Sequence, residues 1–247
     1  MASRSPLPSP PPLAELLSAG PVTLFLDFDG TLVGIAPRPG DIHVPDGLAE
    51  ALHKLRDRLE GRLALVSGRA LDDLLTHLGE VQIARAGSHG ASRFLASGER
   101  LGEAPSGLPD EAVADLRAYA ERNELFYETK SHGGALHFRG QPEKAEATLA
   151  FAREVADAHN LDVTSGKGVA ELVRPGANKG AALEAFMAIE PFTGSTPIFI
   201  GDDVTDEHGM RAAIEFAGFG IAVGERESEA ARCHLQDVEA VHNWLNI

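Results

Sequence analysis

Two aspartates directly follow an apolar run near the start of the chain, in the stretch LFLDFDGT. Asp27 and Asp29 alternate with Phe28, so both carboxylates point to one side of an extended strand. Two like charges about 4 Å apart repel by roughly 4 kcal/mol at the effective dielectric of a protein surface. We interpret the pair as part of a catalytic site that needs a compensating cation. A turn with two solvated aspartates is the alternative.

A second group of aspartates follows another apolar run, in the stretch IFIGDDVTDE. It contains Asp202, Asp203 and, one turn later, Asp206. Two strands that end in aspartates would bring four or five carboxylates to one edge of a sheet, which is unfavourable without a cation. Oxygen ligands without cysteine or histidine select Mg²⁺. The alternative, an aspartate that caps the following helix, is expected to hold for one of the three.

Two further residues have the chemistry to bind a phosphate. Ser67, in LVSGR, stands between a predicted strand and a predicted helix, where its hydroxyl and nearby backbone N–H groups can hold an anion. Lys179, in the stretch ANKGAALEAF, directly precedes a helical pattern and can neutralise a phosphate. Taken singly, Ser67 could be a helix cap and Lys179 a solvated surface residue.

Short apolar runs alternate with helical patterns along most of the chain, and this alternation predicts an α/β fold with a parallel sheet. The carboxyl ends of parallel strands meet at one edge, where open α/β sheets bind ligands. Strands are predicted around residues 22–28, 62–68, 82–91, 196–203 and 218–224, the last being taken as the final strand of the sheet. Helices are predicted around 46–61, 70–79, 178–190 and 206–217.

The pattern changes between residues 107 and 173, where the order becomes helix, hairpin, helix, hairpin. This order predicts an inserted α+β unit with a separate antiparallel sheet and helices on one side. The catalytic core is then formed by residues 21–106 and 174–247. Residues 1–20 are rich in proline and are expected to form a flexible tail.

The composition limits the partners of the protein. A formal net charge of −15 argues against a nucleic acid or an anionic membrane surface as partner. Cys233 is the single cysteine and cannot form an internal disulfide. No apolar segment approaches the length of a membrane span. We therefore expect a cytoplasmic monomer that acts on a small molecule.

The ordered motifs DFDGT, SGR, NKG and GDDVTDE resemble those of the haloacid dehalogenase superfamily of phosphohydrolases. Within it, the chain is similar to the trehalose-6-phosphate phosphatases from about Val22 to its end. The stretches GSHGA, ETK, LHFR and SGKGVAELVRPGANKG carry this closer resemblance. It implies a Rossmann-like parallel sheet core with an inserted α+β cap domain that closes over the core and recognises the sugar.

The resemblance also implies a role for each matching residue of the core. Asp27 corresponds to the nucleophile, Asp29 to the general acid and base, and Lys179 to a phosphate-binding residue of the catalytic set. Asp202 corresponds to the Mg²⁺ ligand, joined by the Asp27 carboxylate and the Asp29 backbone carbonyl, with Asp203 and Asp206 as further candidates. The implied phosphate- or substrate-binding residues of the core are Ser67, Gly68, Arg69 and His89.

In the cap, the residues implied to bind sugar hydroxyls are Glu128, Lys130, Lys167 and Glu171, with Arg139 as a further candidate. Carboxylates accept hydrogen bonds from hydroxyl groups and ammonium groups donate to them, so these residue types suit a sugar. The alternative for each is a solvated charge on a small sheet.

The resemblance implies a Mg²⁺-dependent hydrolysis of trehalose 6-phosphate to trehalose and phosphate through an aspartyl-phosphate. The alternative interpretations are a different sugar-phosphate phosphatase of the same superfamily, a phosphomannomutase-like phosphotransferase, or a non-catalytic sugar-phosphate-binding domain. Asp27, Asp29, Lys179 and Asp202 together argue against the last reading, because a binding module has no need of an acid and base.

Overall fold

The structure, a computed structural model, describes residues 7–36, 39–130, 132–166 and 168–247. It divides into two compact units. The core unit combines the chain up to Glu103 with Asn178–Ile247, and the inserted unit is Ala104–Ala177. The limits predicted from the sequence, 107 and 173, lie a few residues inside those of the inserted unit.

Eleven strands form within the described ranges. They are β1 Val22–Leu26, β2 Leu63–Val66, β3 Ala84–Gly87, β4 Ser92–Phe94, β5 Phe126–Thr129, β6 Gly133–His137, β7 Asp162–Gly166, β8 Val169–Val173, β9 Thr196–Gly201, β10 Phe219–Val223 and β11 Ala231–Leu235.

Eight α-helices accompany them in the same ranges. They are α1 Leu13–Ala19, α2 Leu48–Arg58, α3 Leu71–Leu78, α4 Asp110–Arg122, α5 Ala145–His159, α6 Lys179–Met187, α7 Asp206–Glu215 and α8 Val238–Leu245. Among the residues described, no helix combines the length and the apolar character needed to cross a membrane.

The core unit contains a sheet in the order β11-β10-β9-β1-β2-β3-β4. Its pairings are parallel except that of β3 with β4. The prediction of a parallel α/β sheet is therefore confirmed. The expectation that β10 is the last strand is wrong, because β11 pairs with it at the edge. The sequence of β11, ARCHL, has no continuous apolar run, which is why the pattern did not reveal it.

Helices cover both faces of this sheet. Side chains alternate along β1, so that Leu24 and Leu26 join one hydrophobic cluster and Phe25 joins another. The first cluster receives residues of α2, α3 and α8, and the second receives residues of α6 and α7. Burial on both faces explains why β1 and β9 are apolar runs rather than alternating patterns.

The register places the ends of the central strands at one level. Leu26 pairs with Leu65 of β2 and with Ile200 of β9. Asp27, Ser67 and Asp202 therefore follow their strands at the same carboxyl edge of the sheet.

The inserted unit is a four-stranded antiparallel sheet in the order β5-β6-β8-β7, packed against α4 and α5. Its apolar cluster includes Leu116 from α4, Val155 from α5, and Leu136 and Leu172 from the sheet. The predicted order of helix, hairpin, helix and hairpin is the order found. The unit has a hydrophobic core of its own.

From residue 7 onward, the proline-rich start of the chain is not the flexible tail that the sequence predicted. Helix α1 begins at Leu13, directly after Pro12, which is the N-cap residue. Pro8 O accepts a hydrogen bond from His234 N at 2.9 Å, and Pro11 O accepts one from Trp244 Nε1 at 2.8 Å. Leu13 is buried in the core cluster. A free tail up to residue 20 was therefore a wrong expectation for this segment.

The substitution Leu13→Ala should lower the free energy of unfolding by about 2–3 kcal/mol, because it leaves a cavity in a packed cluster. Urea unfolding followed by circular dichroism measures this change. Glu15→Ala is the matched control, because Glu15 lies in the same helix and is exposed. A loss for Leu13→Ala no larger than that of the control would mean that the N-terminal segment adds nothing to stability.

Candidate active site

Lys179 lies between two buried carboxylates at the carboxyl edge of the core sheet. Its Nζ is 2.8 Å from Asp27 Oδ1 and 2.6 Å from Asp206 Oδ1. None of these three side chains is more than 5% exposed. Lys179 is the first residue of α6, and the side chain of Asn178 caps this helix by accepting a hydrogen bond from Ala181 N. The lysine is thus fixed where the positive end of the helix dipole also favours an anion.

The pKa values in this cluster are strongly shifted. Burial alone would lower the pKa of Lys179, but the carboxylates of Asp206 and Asp27 outweigh it and raise the pKa above its usual value. Burial raises the pKa of Asp27 well above its usual value, with Asp206 and Asp202 adding to the effect and Lys179 opposing it. The raised pKa favours the charged form of Lys179, which contacts two of these carboxylates. A cation close to Asp27 would favour its ionised form.

Three carboxylates form a group that can hold a metal ion. Ligand oxygens of Asp27, Asp202 and Asp206 lie within 4.8 Å of one another. Hard oxygen donors of this kind suit a divalent cation such as Mg²⁺ or Ca²⁺. Both oxygens of Asp206 already accept hydrogen bonds, Oδ1 from Lys179 Nζ and Oδ2 from Asp203 N at 2.8 Å. Asp203 lies outside this group, and its Oδ1 accepts from Val204 N.

Two glycines allow the aspartate-bearing segments to approach each other. Gly30 has φ +86°, and a Cβ atom at this position would overlap the carboxylate of Asp202. A Cβ atom on Gly201 would overlap the carboxylate of Asp206. Any side chain at Gly30 or Gly201 would therefore occupy the space that these carboxylates fill.

Arg69 holds the carboxylate of Asp29 in a bidentate ion pair. Its Nε donates to Oδ2 at 2.6 Å and its Nη2 donates to Oδ1 at 2.7 Å. The remaining Nη1 donates to Asp73 Oδ2 at 2.6 Å. Burial would lower the pKa of Arg69, but these two carboxylates raise it above its usual value. Asp29 is thereby oriented while its side chain stays 30% exposed, so water or a substrate can reach it.

The loops after β2 and β3 are joined by hydrogen bonds around Ser67. The buried Ser67 Oγ accepts from Arg69 N at 3.1 Å, and Ser67 O accepts from His89 N at 3.0 Å. The ring of His89 lies against Gly68, where a Cβ atom would be 2.6 Å from His89 Cε1. The structure therefore brings together Ser67, Gly68, Arg69 and His89, and their binding roles stay predictions.

Lys130 and Glu171 form an ion pair within the inserted unit. Lys130 Nζ is 2.7 Å from Glu171 Oε2, and His132 Nε2 is 3.3 Å from Glu171 Oε1. Glu171 pairs with Ala135 across β8 and β6, and Ala135 pairs with Glu128 across β6 and β5. Directly opposed residues share a face of a sheet, so Glu128 and Glu171 lie on one face.

Glu128 has a partner of its own on that face. His137 Nε2 is 2.9 Å from Glu128 Oε2, and the ring centroid of His137 is 5.3 Å from that of Phe126. Phe126 is 66% exposed. The opposite face of the sheet carries Leu136 and Leu172, which pack into the hydrophobic cluster. The sheet of the inserted unit therefore presents carboxylates, a cation and an exposed aromatic ring on the face away from its helices.

Two predicted sugar-binding residues remain. Lys167 lies outside the described residues. Arg139 is in the exposed turn after β6, with its backbone against Gly168, and the neighbouring Phe138 N donates to Gly168 O at 2.8 Å.

Sequence reasoning missed His132, His137 and Arg226, which all contact candidate site residues. The register of the β5–β6 hairpin could have identified His137. The hairpin pairs Phe126 with His137, which places His137 on the same face of the sheet as Glu128. Arg226 gave no such signal, because it is distant in sequence from the Asp202 carbonyl it contacts.

Comparisons with known proteins identify relatives across nearly the whole chain. The family model described as trehalose-phosphatase matches residues 25–237. The trehalose-6-phosphate phosphatase of Escherichia coli (strain K12) is 32% identical over 226 residues, which cover 90% of this chain and 85% of that protein.

Solved structures give the fold type. The C-terminal domain of the C. albicans trehalose-6-phosphate phosphatase aligns with a TM-score of 0.80 at 19% identity, covering 99% of this chain and 100% of that one. A haloacid dehalogenase-like hydrolase from B. subtilis aligns with a TM-score of 0.69 at 17% identity, covering 90% and 98%. The predicted haloacid dehalogenase type of fold is therefore confirmed.

Lys179→Met should lower the free energy of unfolding by about 3–5 kcal/mol, because it leaves two buried carboxylates without their cation. Urea unfolding in the presence of EDTA measures this loss without interference from metal ions. Lys54→Met is the matched control, since Lys54 pairs with Glu50 at 2.7 Å but both side chains are 73% exposed. Equal stability of the two variants would contradict the role of Lys179 as the internal counter-ion.

Proposed function

The chain belongs to the trehalose-phosphatase family, and from this premise we propose that it hydrolyses trehalose 6-phosphate to trehalose and inorganic phosphate. The observation that carries the proposal is the contact of Lys179 with Asp27 and Asp206 at the carboxyl edge of the sheet. A charged lysine against a buried carboxylate, with two more carboxylates nearby, fits phosphoryl transfer to an aspartate better than it fits sugar binding alone.

In the proposed first step, Asp27 attacks phosphorus and the bond from phosphorus to the sugar oxygen breaks. Asp29 donates its proton to the leaving oxygen, so that trehalose departs and an aspartyl-phosphate remains. In the second step, Asp29 takes a proton from a water molecule that attacks the phosphorus, and phosphate leaves with Asp27 restored. The bidentate contact of Arg69 fixes the direction of the Asp29 carboxylate, and one of its two hydrogen bonds must be released when Asp29 carries the proton.

We propose Mg²⁺ as the metal, held by the carboxylates of Asp27 and Asp202 and the backbone carbonyl of Asp29. Bound there, Mg²⁺ would neutralise charge on the transferring phosphoryl group. Asp206 is assigned to Lys179 rather than to the metal, because both of its oxygens accept hydrogen bonds from the protein. Asp203 supports the loop through its contact with Val204 N.

The phosphate is assigned to Lys179, the Ser67 hydroxyl and the backbone of Gly68, with His89 beside them. In this proposal Arg69 serves Asp29 and Asp73, whose carboxylates already occupy its donors.

The sugar is assigned to the polar face of the inserted unit. The Lys130–Glu171 pair and Glu128 offer donors and acceptors to hydroxyl groups. Lys167 and Arg139 complete the proposed set on the strength of the sequence resemblance. The monomeric state and the cytoplasmic location stay predictions.

The substrate is tested by incubating the protein and Mg²⁺ with trehalose 6-phosphate, glucose 6-phosphate, mannose 6-phosphate and sucrose 6-phosphate. Phosphate release is expected to favour trehalose 6-phosphate by at least about a hundredfold in kcat/KM, because only this disaccharide pairs with all the polar groups of the sugar site. Asp27→Asn, which lacks the nucleophile, serves as the control for contaminating phosphatases and should show no turnover. Equal turnover of glucose 6-phosphate would mean a broader sugar phosphatase, and turnover by Asp27→Asn at the wild-type rate, unchanged by further purification, would rule out the covalent route.

Lys130→Ala should reduce kcat/KM for trehalose 6-phosphate by about ten- to a hundredfold, the range expected for a lost hydrogen bond to a charged group. Its activity on p-nitrophenyl phosphate should stay within about threefold of the wild type, since this ester has no sugar. Lys144→Ala is the control in the same unit, because Lys144 donates to Asn123 O instead of to Glu171. Equal losses on both esters would show that Lys130 does not recognise the sugar.

A further inference from the structure

Arg226 binds the backbone of the segment that carries Asp202. It lies in the loop between β10 and β11, and its Nε donates to Asp202 O at 3.1 Å. Its Nη2 donates to Asp203 O at 3.1 Å and to Glu207 Oε1 at 2.7 Å. One guanidinium group therefore holds two successive carbonyls and the first turn of α7.

Glu207 completes the connection from the other side. Its side chain is almost fully buried, and its carboxylate accepts hydrogen bonds from Ala230 N at 2.9 Å and Glu229 N at 3.3 Å. These hydrogen bonds attach the loop that contains Arg226 to α7. The guanidinium group is therefore held in a position from which it reaches the carbonyls of Asp202 and Asp203.

The segment held in this way is the one that electrostatic repulsion would displace. Asp202 follows the end of β9, and its carboxylate is within 4.8 Å of those of Asp27 and Asp206. Residues 202–205 form a loop that lacks the ladder hydrogen bonds of the strand before it. Repulsion among the carboxylates acts to push this loop outward, and a cation bound to its carbonyls opposes that movement.

We propose that Arg226 is a positioning residue that sets the affinity of the aspartate cluster for Mg²⁺ by fixing the backbone of Asp202 and Asp203. This inference rests on the metal site of the proposed function. The planar guanidinium reaches both carbonyls and a carboxylate at once, whereas the ammonium group of lysine is a single point charge on a flexible stem. Removal of a group that orients a metal ligand typically lowers metal affinity or activity by 10- to 100-fold.

The test compares Arg226→Lys with the wild-type protein in two Mg²⁺ titrations. The first follows the melting temperature with the metal alone and no substrate, and the second follows the initial rate with trehalose 6-phosphate. The half-saturating Mg²⁺ concentration of the rate should rise by about tenfold or more, because Asp202 is held less firmly. The Mg²⁺ concentration that gives a fixed rise in melting temperature should increase by the same factor. The rate at saturating Mg²⁺ should stay within about threefold, because the metal, once bound, restores the arrangement of the ligands.

Two other variants distinguish the positioning of Asp202 and Asp203 from a general effect on the stability of the loop that contains Arg226. Glu207→Gln keeps the shape of the anchor but removes its charge, and it should shift the Mg²⁺ requirement in the same direction by a smaller factor. It also serves as the readout if Arg226→Lys does not fold. Arg211→Lys is the control, because Arg211 joins α7 to the same loop through Glu229 at 2.9 Å on the exposed surface. It should titrate like the wild type.

An unchanged Mg²⁺ requirement in both Arg226→Lys and Glu207→Gln would overturn the inference. An equal shift in Arg211→Lys would overturn it as well, since the effect would then come from the loop as a whole. A wild-type protein that responds to Mg²⁺ in neither titration would instead refute the proposed metal site, and the inference with it.

Discussion

The contact of Lys179 with two buried carboxylates is the interaction on which the candidate site depends. Asp27, Asp202 and Asp206 are packed more closely than their mutual repulsion favours. Lys179 offsets part of this repulsion and is itself kept charged by it, as the raised pKa indicates. The three carboxylates outnumber the lysine at this edge of the sheet and form a group that can hold a metal ion.

This concentration of charge requires a rigid frame. The strands that precede Asp27 and Asp202 are buried on both faces, and their register brings their ends to one level. Gly30 and Gly201 leave the space that the carboxylates fill. Arg69 and Arg226 lie outside the cluster and orient it, the first through the Asp29 side chain and the second through backbone carbonyls. Hydrophobic packing thus sets the distances between the carboxylates, and neighbouring cationic side chains offset part of the repulsion between them.

The inserted unit uses the same pairing of opposite charges for a different purpose. Its sheet buries one face under two helices and leaves charged groups on the other. Glu171 is nearly buried, and its carboxylate is held in place by contacts with both Lys130 and His132. Groups fixed in this manner lose little conformational entropy when a ligand binds.

The sequence by itself predicted the α/β class, an inserted unit and a set of candidate site residues, because apolar runs that end in aspartates are local patterns. It also placed Ser67 and Lys179 correctly beside strands and helices. Tertiary structure alone decided that α1 packs on the core, that β11 extends the sheet, and that Arg226 binds Asp202 and Asp203. These features depend on contacts between residues far apart in sequence and on polar or proline-rich stretches without periodicity. No local pattern encodes such contacts, because the folded backbone alone brings the partners together.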